Sequence, residues 1–482
     1  MGVSFLRIVT MSYEKDADYN ARWLFPPSLE ELLPADHPAR MVREFVEAQD
    51  LKALGFTTRT ADEGRPNYSA ALMVKVWLYG YMSRIRSTRA VERACMESIG
   101  MLWLSGMWSP DHTTLWRFWR DNQKPLRQLF KQLLQIAAAF DLVGVVLHAV
   151  DGTKILSQAS EAKGWHRGSL EKTLARLDEA IDEIMKQTEE SAKQESAEVR
   201  LPESLQQRQE LRSKVAEQLK RLDEKQRDHL NPGDEEARMM KCRVGTKFAY
   251  NAQAVVDQQS KLIVAADVVA DESDNYQLVP MLEQVEANLS RVAEQTLADG
   301  GYEAATEFAK AEEKGYAVLV NVAEAKGPYD ASRFTYDAEK DRCVCPRGEE
   351  LTFDSVKARD KVEPYTVRVY RCHRYETCPV RWQCSQSQSG RTVQIHPNHA
   401  ALKRQREKVQ DEAMRACLKQ RGSIIEALFG WSKEGFGFRR WTVRGLAKVK
   451  TQWLVLCTAM NLCRLHRQWA AGKILFRSAS SH

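Results

Sequence analysis

The sequence has no long hydrophobic run. No stretch reaches the ~18 to 20 continuous apolar residues that a helix needs to cross a bilayer, so membrane spans are not expected. Residues 1–10 are too short and too weakly patterned for a secretory signal. These absences favour a cytoplasmic protein. At 482 residues the chain is too long for one ordinary hydrophobic core, so two or more domains are expected.

A strong overall charge is also lacking, since the formal net charge is only +6. The charge is unevenly distributed, however: from Arg421 to His482, eleven Lys or Arg residues stand against two acids, Glu426 and Glu434. A basic segment of this kind suits a polyanionic partner. Judged on charge alone, a solvated helix face explains the same segment equally well.

Residues 20 to 140 have a helical pattern, and we assign 1–140 to an all-helical N-terminal domain. Val74, Trp77, Leu78 and Tyr81 recur at the three- and four-residue steps of a buried helix face. Ser109, followed by proline, is the expected N-cap of a later helix. That helix mixes aromatic residues with Arg117 and Arg120, which resembles a helix-turn-helix DNA reader. A helical bundle with Trp in its core is the commoner origin of such a pattern.

Strands and helices then alternate, which predicts a mixed α/β sheet with an antiparallel start. Residues 143–150 form a continuous apolar run that ends at Asp151, and further strands are expected at 248–256, 262–269, 296–298 and 316–321. We assign this sheet to residues 141–470, followed by a tail at 471–482.

Two segments interrupt the sheet pattern. In the first, 158–240, we expect an antiparallel helical hairpin, because apolar residues follow a heptad pattern in two arms: Leu170, Leu174, Leu177, Ile181 and Ile184, then Leu211, Val215, Leu219 and Leu222. The second, 322–400, is polar and rich in cysteine, with five of the chain's ten cysteines between Cys343 and Cys384. In a reducing compartment such a cluster indicates metal binding or burial rather than a disulfide framework.

Three acids are candidates for chemistry. Asp151 and Asp299 each follow a hydrophobic strand, and ligands of open α/β sheets bind beyond the carboxyl ends of strands. Both are followed by glycine, so a turn or helix cap explains them equally well. Glu426 lies in an apolar helix, where a carboxylate is costly unless it is paired or metal-bound. Lys433, seven residues on, would share its helix face about 10 Å away.

With these segments in view, the sequence resembles bacterial insertion-sequence transposases of the DDE type, in the branch with a Tyr-Arg-Glu-Lys signature. The resemblance covers about residues 20 to 470, and its matching segments are Leu24–Pro27, Arg65–Pro66 through Trp116, His148–Lys154, Leu297–Tyr302, Glu426–Lys433, Phe438–Leu446 and Met460–Leu465. The signature's Tyr and Arg are missing, because Lys419 and Gly422 hold those positions and Arg421 is one residue off. The Glu-to-Lys spacing is kept.

This resemblance implies a ribonuclease-H-like catalytic domain that cuts and rejoins DNA at the ends of an insertion sequence. Asp151, Asp299 and Glu426 would be the metal-binding triad, with Mg²⁺ or Mn²⁺ as the cofactor. Double-stranded DNA is the implied partner, with assembly as a homo-oligomer on paired ends at the bacterial nucleoid. The residues expected to contact DNA are Arg421, Lys433, Arg439, Arg440, Arg444, Arg117 and Arg120.

Two other functions remain open at this point. The first is a ribonuclease-H-like nuclease that cuts without joining, and the second is a catalytically silent DNA-binding protein descended from a transposase. Metal-dependent nicking would exclude the second, and strand transfer would exclude the first.

The cysteines of 322–400 are candidates for a structural zinc site, because a small segment with little core gains from a bound metal. The four expected ligands are Cys345, Cys372, Cys378 and Cys384, with Cys343 or His373 as substitutes. Their spacing favours partly buried thiols without metal, since the gaps after Cys372 and Cys378 exceed the ~two to four residues usual in zinc loops.

Overall fold

The computed structural model of the protein describes residues 28–57, 67–194, 203–323, 325–359 and 364–476. Leu24–Pro27, Arg65–Pro66, the 195–202 connection and the tail beyond 476 lie outside them. The N-terminal part of the described chain is helical, as predicted, with α1 Pro38–Glu47, α2 Ala70–Met82, α3 Thr88–Glu97, α4 Ile99–Ser105, α5 His112–Asp121 and α6 Gln123–Ala139. Helix α5 begins two residues later than predicted, because Asp111 rather than Ser109 accepts the first backbone N–H groups.

A mixed sheet follows, built from β1 Leu147–Leu156, β4 Arg238–Cys242, β5 Gly245–Asp257, β6 Ile263–Val269, β7 Gln295–Ala298 and β8 Val318–Val320. Strands β4 and β6 both pair antiparallel with β5, and β5 pairs antiparallel with β1. Strands β1, β7 and β8 run parallel. Helices α9 Leu278–Leu289 and α10 Ala305–Glu313 connect the later strands. The predicted α/β class with an antiparallel start is therefore confirmed.

Strand β1 does not end at Asp151, which corrects the sequence-based expectation. It continues to Leu156, because the long strand β5 keeps pairing with it from Val256 opposite Ala149 to Ala249 opposite Leu156. Only the parallel pairing with β7 stops, at Ala149 opposite Leu297. Gly152 is therefore no turn residue; a Cβ there would lie 2.3 Å from Gln253 Nε2.

Between β1 and β4 the chain forms a helical pair, α7 Arg167–Gln194 and α8 Glu203–Glu224. Two short strands, β2 Trp165–His166 and β3 His229–Leu230, pair antiparallel at its base. The heptad residues Ile181, Val215 and Leu222 are buried, and Arg212 forms an ion pair with Asp178. The two arms thus pack against each other within one chain.

The cysteine-rich segment contains a second sheet, which the sequence did not predict. Five antiparallel strands, in the order β13-β12-β11-β10-β9, are β9 Thr335–Asp337, β10 Arg342–Val344, β11 Glu350–Arg359, β12 Tyr365–Arg371 and β13 Thr392–Ile395, with a short helix α11 Arg381–Cys384. This sheet has its own small core of Phe334, Cys343, Leu351, Tyr370, Val393 and Ile395. Six buried residues are a small core, in line with the expectation of a segment with little core of its own.

Three helices complete the described chain: α12 His399–Gln410, α13 Glu412–Gly430 and α14 Leu446–Ala470. Helix α14 joins the sheet to the N-terminal helices, since Asn461 bonds both backbone groups of Ile263 and Gln452 donates to the Tyr81 hydroxyl. One hydrophobic core extends from Met41 to Ile474. Within the described residues, none of the helices is long and apolar enough to cross a membrane.

Candidate active site

Asp151 and Asp299 lie level with each other on neighbouring strands. Ala149 of β1 pairs with Leu297 of β7, and each aspartate comes two residues after its member of that pair. Asp299 follows the last residue of β7 and accepts a 2.9 Å hydrogen bond from the Gly301 backbone N–H. Asp151 accepts one of 2.7 Å from the Gly152 N–H. The sheet register therefore brings the two carboxylates to one point of the surface.

The two carboxylates influence each other electrostatically. Burial raises the pKa of Asp151, and the negative charge of Asp299 raises it further, while Arg421 opposes both effects. The side chain of Asp151 is only 17% exposed. Such a pair favours a bound cation, because a positive charge between the carboxylates relieves their repulsion.

Helix α13 brings Glu426 and Arg421 to the same place. Arg421 Nη1 donates to Asp151 Oδ2 at 2.8 Å, and its Nη2 lies 3.9 Å from Glu426 Oε1. Gly422 leaves room for the glutamate, since a Cβ there would lie 3.0 Å from Glu426 Oε1. Arg421, one residue off the signature position, thus places a cation between two of the three acids.

Glu426 is not buried, which corrects the expectation from its apolar neighbours. Its side chain is 70% exposed, because Ile425, Leu428 and Phe429 fill the buried face of α13 while the glutamate points away from it. An exposed carboxylate near two half-buried ones leaves one side of the site open to a large substrate.

Lys433 does not continue an α-helix from Glu426, so the expectation of a shared helix face does not apply. Helix α13 ends at Gly430, and a π-helical turn covers Trp431–Gly435. The turn directs the lysine onto β1, where Nζ donates to Thr153 Oγ1 at 2.5 Å. Burial lowers the pKa of Lys433. Its ammonium group nonetheless lies two residues along β1 from Asp151.

The sequence analysis missed a further carboxylate, Asp274. It accepts hydrogen bonds from Asn251 Nδ2 at 2.5 Å, Gln253 Nε2 at 2.6 Å and Lys154 Nζ at 3.2 Å. A Cβ at Gly301 would lie 3.5 Å from Asp274 Oδ2, so this carboxylate borders the backbone beside Asp299. The acidic stretch 271–274 directly after β6 was the available signal.

The other residues expected to contact DNA fall in two places. Before α14, Arg439 forms an ion pair with Glu434, Arg440 donates to the Ser157 carbonyl at 2.8 Å, and Arg444 is exposed. On α5, Arg117 and Arg120 are both exposed, and Arg120 also donates to Asp121 at 2.8 Å. The structure thus places Arg421 beside Asp151 and Glu426, and Lys433 beside β1, and leaves the remaining arginines before α14 or on α5.

The donor set of the site fits a hard divalent ion. Carboxylate oxygens are the ligands that Mg²⁺ and Mn²⁺ prefer, and Arg421 stands where a cation would neutralise Asp151 and Glu426. Over the described ranges, no three Cys, His, Asp or Glu side chains are already grouped as a metal would hold them. In this structure Arg421 is the cation that neutralises Asp151.

Two family models match the chain. Residues 27–121, which include α1 to α5, match a transposase domain (DUF772). Residues 344–466, which include Arg421, Glu426 and Lys433, match a transposase DDE domain. No curated protein matches the chain. Asp151 and Asp299 lie outside both matched ranges.

Proposed function

The chain belongs to the DDE-type insertion-sequence transposases, and we propose that Asp151, Asp299 and Glu426 are the triad with which it cuts and rejoins DNA. The observation that carries this assignment is the sheet register, which sets Asp151 level with Asp299 while Arg421 links Asp151 to Glu426. Asp151 and Asp299 thus follow neighbouring strands, and Arg421 joins Asp151 to the exposed Glu426 of α13. Its substrate is DNA, so we expect it to act in the cytoplasm at the nucleoid.

The catalytic fold is proposed to be ribonuclease-H-like. Supporting this, β1, β5 and β6 form an antiparallel start, and β7 and β8 then add parallel to the other side of β1. The helical pair α7–α8 leaves the sheet after β1, and the cysteine-rich sheet leaves it after β8. Both would be insertions, because the six-stranded sheet is continuous without them.

Mg²⁺ is the proposed cofactor, and Mn²⁺ is expected to substitute for it. When bound, two such ions activate the attacking oxygen and stabilise the leaving 3′ oxygen. Asp151, Asp299 and Glu426 would hold these ions, because Asp299 acts electrostatically on Asp151 and Arg421 links Asp151 to Glu426. This chain's residues then need no separate general base.

Lys433 and Arg421 are proposed to hold DNA phosphates beside the cut. Lys433 lies next to Thr153, two residues from Asp151, so its charge is fixed close to the reacting phosphate. Once Arg421 releases Asp151, its guanidinium can bind a phosphate oxygen instead. Arg439, Arg440 and Arg444 would extend this contact along the backbone.

The N-terminal helices are proposed to recognise the element ends, with Arg117 of α5 as the exposed contact. Assembly as a homo-oligomer on paired ends remains part of the proposal. The pair α7–α8 buries Ile181, Val215 and Leu222 within one chain but leaves Leu211 exposed, so it is a candidate for contact between chains.

The deciding experiment incubates the protein with its own element's ends, a supercoiled target plasmid and Mg²⁺. We expect nicks that map to the element boundary, followed by joining of the new 3′ ends to the plasmid. The same ends supplied already cut, with a free 3′ hydroxyl, should join without a cleavage step. Cutting without any joining of pre-cut ends would contradict the strand-transfer assignment.

A further inference from the structure

The cysteine-rich sheet brings thiols from two separate segments of the chain together at one end. Strand β11 begins beside the end of β12, because Thr352 pairs with Arg371. Cys345 lies in the tight turn that leads into β11, and Cys372 directly follows β12. The loop after Cys372 then returns to β13, whose first residue, Thr392, also pairs with Arg371. Residues far apart in sequence thus end at the same edge.

A cavity of about 140 Å³ lies at this edge, and four cysteines line it. They are Cys345, Cys372, Cys378 and Cys384, which we call the thiol cluster. None of the four is in a disulfide. Cys343 and His373 are not among the residues that line this cavity.

We propose that the thiol cluster binds one zinc ion that holds this end of the sheet together. Four thiolates complete a tetrahedral structural zinc site. The wide gaps between the cysteines argue only against a zinc site built within one short loop. In this sheet the first ligand comes from the hairpin turn before β11, and the other three come from the β12–β13 loop. In this structure the four cysteines line one cavity but are not grouped as a metal would hold them, so binding would require their side chains to turn toward one centre.

A backbone group supports one of the four sulfur atoms. The Arg347 backbone N–H donates to Cys345 Sγ at 3.4 Å, and this donor lies two residues after the cysteine. Hydrogen bonds of this kind orient a metal-binding sulfur.

The charges around the cavity also fit such a site. Zinc with four thiolates has a net charge of about −2, which must be compensated in a half-buried position. Arg347, Arg374 and Arg391 line the cavity against the single acid Glu349. Arg374 and Glu349 form a 3.3 Å ion pair, and Arg391 donates to the Cys384 carbonyl at 3.4 Å.

The sheet is small enough to need a metal. Its separate core has six buried residues, one of which is Cys343. Domains with cores of this size usually require disulfides or a structural ion to remain folded. A zinc ion at the open end would fix the hairpin turn and the long loop at once.

Zinc content of the full-length protein, purified without chelator, tests the proposal. We expect about one zinc per chain, and loss of it in Cys345→Ser, Cys372→Ser, Cys378→Ser and Cys384→Ser. The matched control is Cys417→Ser, a partly buried cysteine on α13, which should keep its zinc. Zinc retained in any of the four variants would overturn the assignment of that ligand set.

Two measurements on the unmodified chain cover variants that do not fold. Exchange of the metal for Co²⁺ should give the intense sulfur-to-metal absorption of a tetrahedral thiolate site. Chelation should raise hydrogen exchange in β10 to β13 while β1, β5 and β7 keep their protection. Less than about half an equivalent of zinc, with no change in exchange on chelation, would refute the site.

Discussion

The two clusters of metal-binding residue types differ in how the chain assembles them. Asp151 and Asp299 follow neighbouring strands and Glu426 lies on α13, so their arrangement depends on the whole sheet, whereas the thiol cluster comes from one turn and one loop of a local sheet. The first offers oxygen atoms with one side open; the second offers sulfur atoms around a small, partly open cavity. Oxygen ligands suit an ion exchanged with substrate, and sulfur ligands suit a permanent one.

The largest effect should come from substitutions in the proposed triad. These substitutions should change the acidic site and leave the thiol cluster unchanged. Asp151→Asn, Asp299→Asn and Glu426→Gln should each lower DNA cleavage by about 10³-fold or more, because a metal contributes several kcal/mol to the transition state. DNA binding and zinc content should remain near wild type. An assay with labelled element ends measures the cleavage rate, and a binding titration measures the DNA affinity.

The matched control for the triad is Glu434→Gln, which changes an exposed acid eight residues after Glu426 that pairs with Arg439. It should cleave at nearly the wild-type rate. If one of the triad variants did the same, that residue would not be a metal ligand.

The sequence predicted the strands better than the contacts between them. Short apolar segments that alternate with helical segments indicated β1, β5, β6, β7 and β8. The resemblance to a known family then pointed to Asp151, Asp299 and Glu426. The continuation of β1 past Asp151 depends on pairing with β5, which no local pattern reveals. The exposure of Glu426 likewise depends on how α13 is turned.

The second sheet and Asp274 were missed for related reasons. Strand β11 is largely exposed, so it lacks the buried alternation that identifies a strand. Strand β12 does alternate, with Val367 and Val369 buried, and the sequence analysis overlooked that signal. Asp274 follows β6 in an acidic stretch that looks like an ordinary loop. Its position near the site follows only from the folded structure, in which Lys154, Asn251 and Gln253 surround it.

A smaller effect is expected from Asp274, which tests whether the acidic site extends beyond three residues. Asp274→Asn should lower cleavage about 10- to 100-fold, as expected for residues that orient metal ligands. The loss should shrink as Mg²⁺ is raised, because Asp274 acts by positioning Asp299 and its backbone. Glu272→Gln, in the same loop, is the control. A loss that does not depend on Mg²⁺ would indicate a purely structural role.

Substitution of Lys433 should weaken DNA binding rather than metal binding. Lys433→Ala should weaken DNA binding about tenfold at low salt and reduce the slope of log affinity against log salt by about one. Thr153→Val removes the hydroxyl that accepts from Lys433 but leaves the charge, so its salt slope should match wild type. An unchanged slope in Lys433→Ala would exclude a phosphate contact.

On α5 the two arginines should behave differently. Arg117→Ala should lower affinity for the element ends about five- to tenfold, in the range of one direct contact. Arg120→Ala should have less effect, because that guanidinium already pairs with Asp121. Competition between element ends and random DNA measures the difference. Equal effects on both kinds of DNA would assign Arg117 to the phosphate backbone.

The smallest effect concerns stability without metal. The pKa of Asp151 is raised by burial and by Asp299, so its stabilising protonated form is fully present only below the unfolded pKa and is lost as pH rises through the folded pKa. At neutral pH the charged residue is therefore unfavourable. In chelator, Asp151→Asn should unfold at the same temperature as wild type or higher, with the difference diminishing toward pH 4. A lower melting temperature at neutral pH would contradict this.

The most direct test of the central claim locates the metal itself. Fe²⁺ replaces Mg²⁺ in the full-length protein, and ascorbate with peroxide then generates radicals that cut the polypeptide next to the ion. We predict cuts in three separate places, near Asp151, Asp299 and Glu426, all suppressed by excess Mg²⁺ and by Asp151→Asn. Cuts confined to other segments, or cuts at these places that persist in Asp151→Asn, would contradict the account.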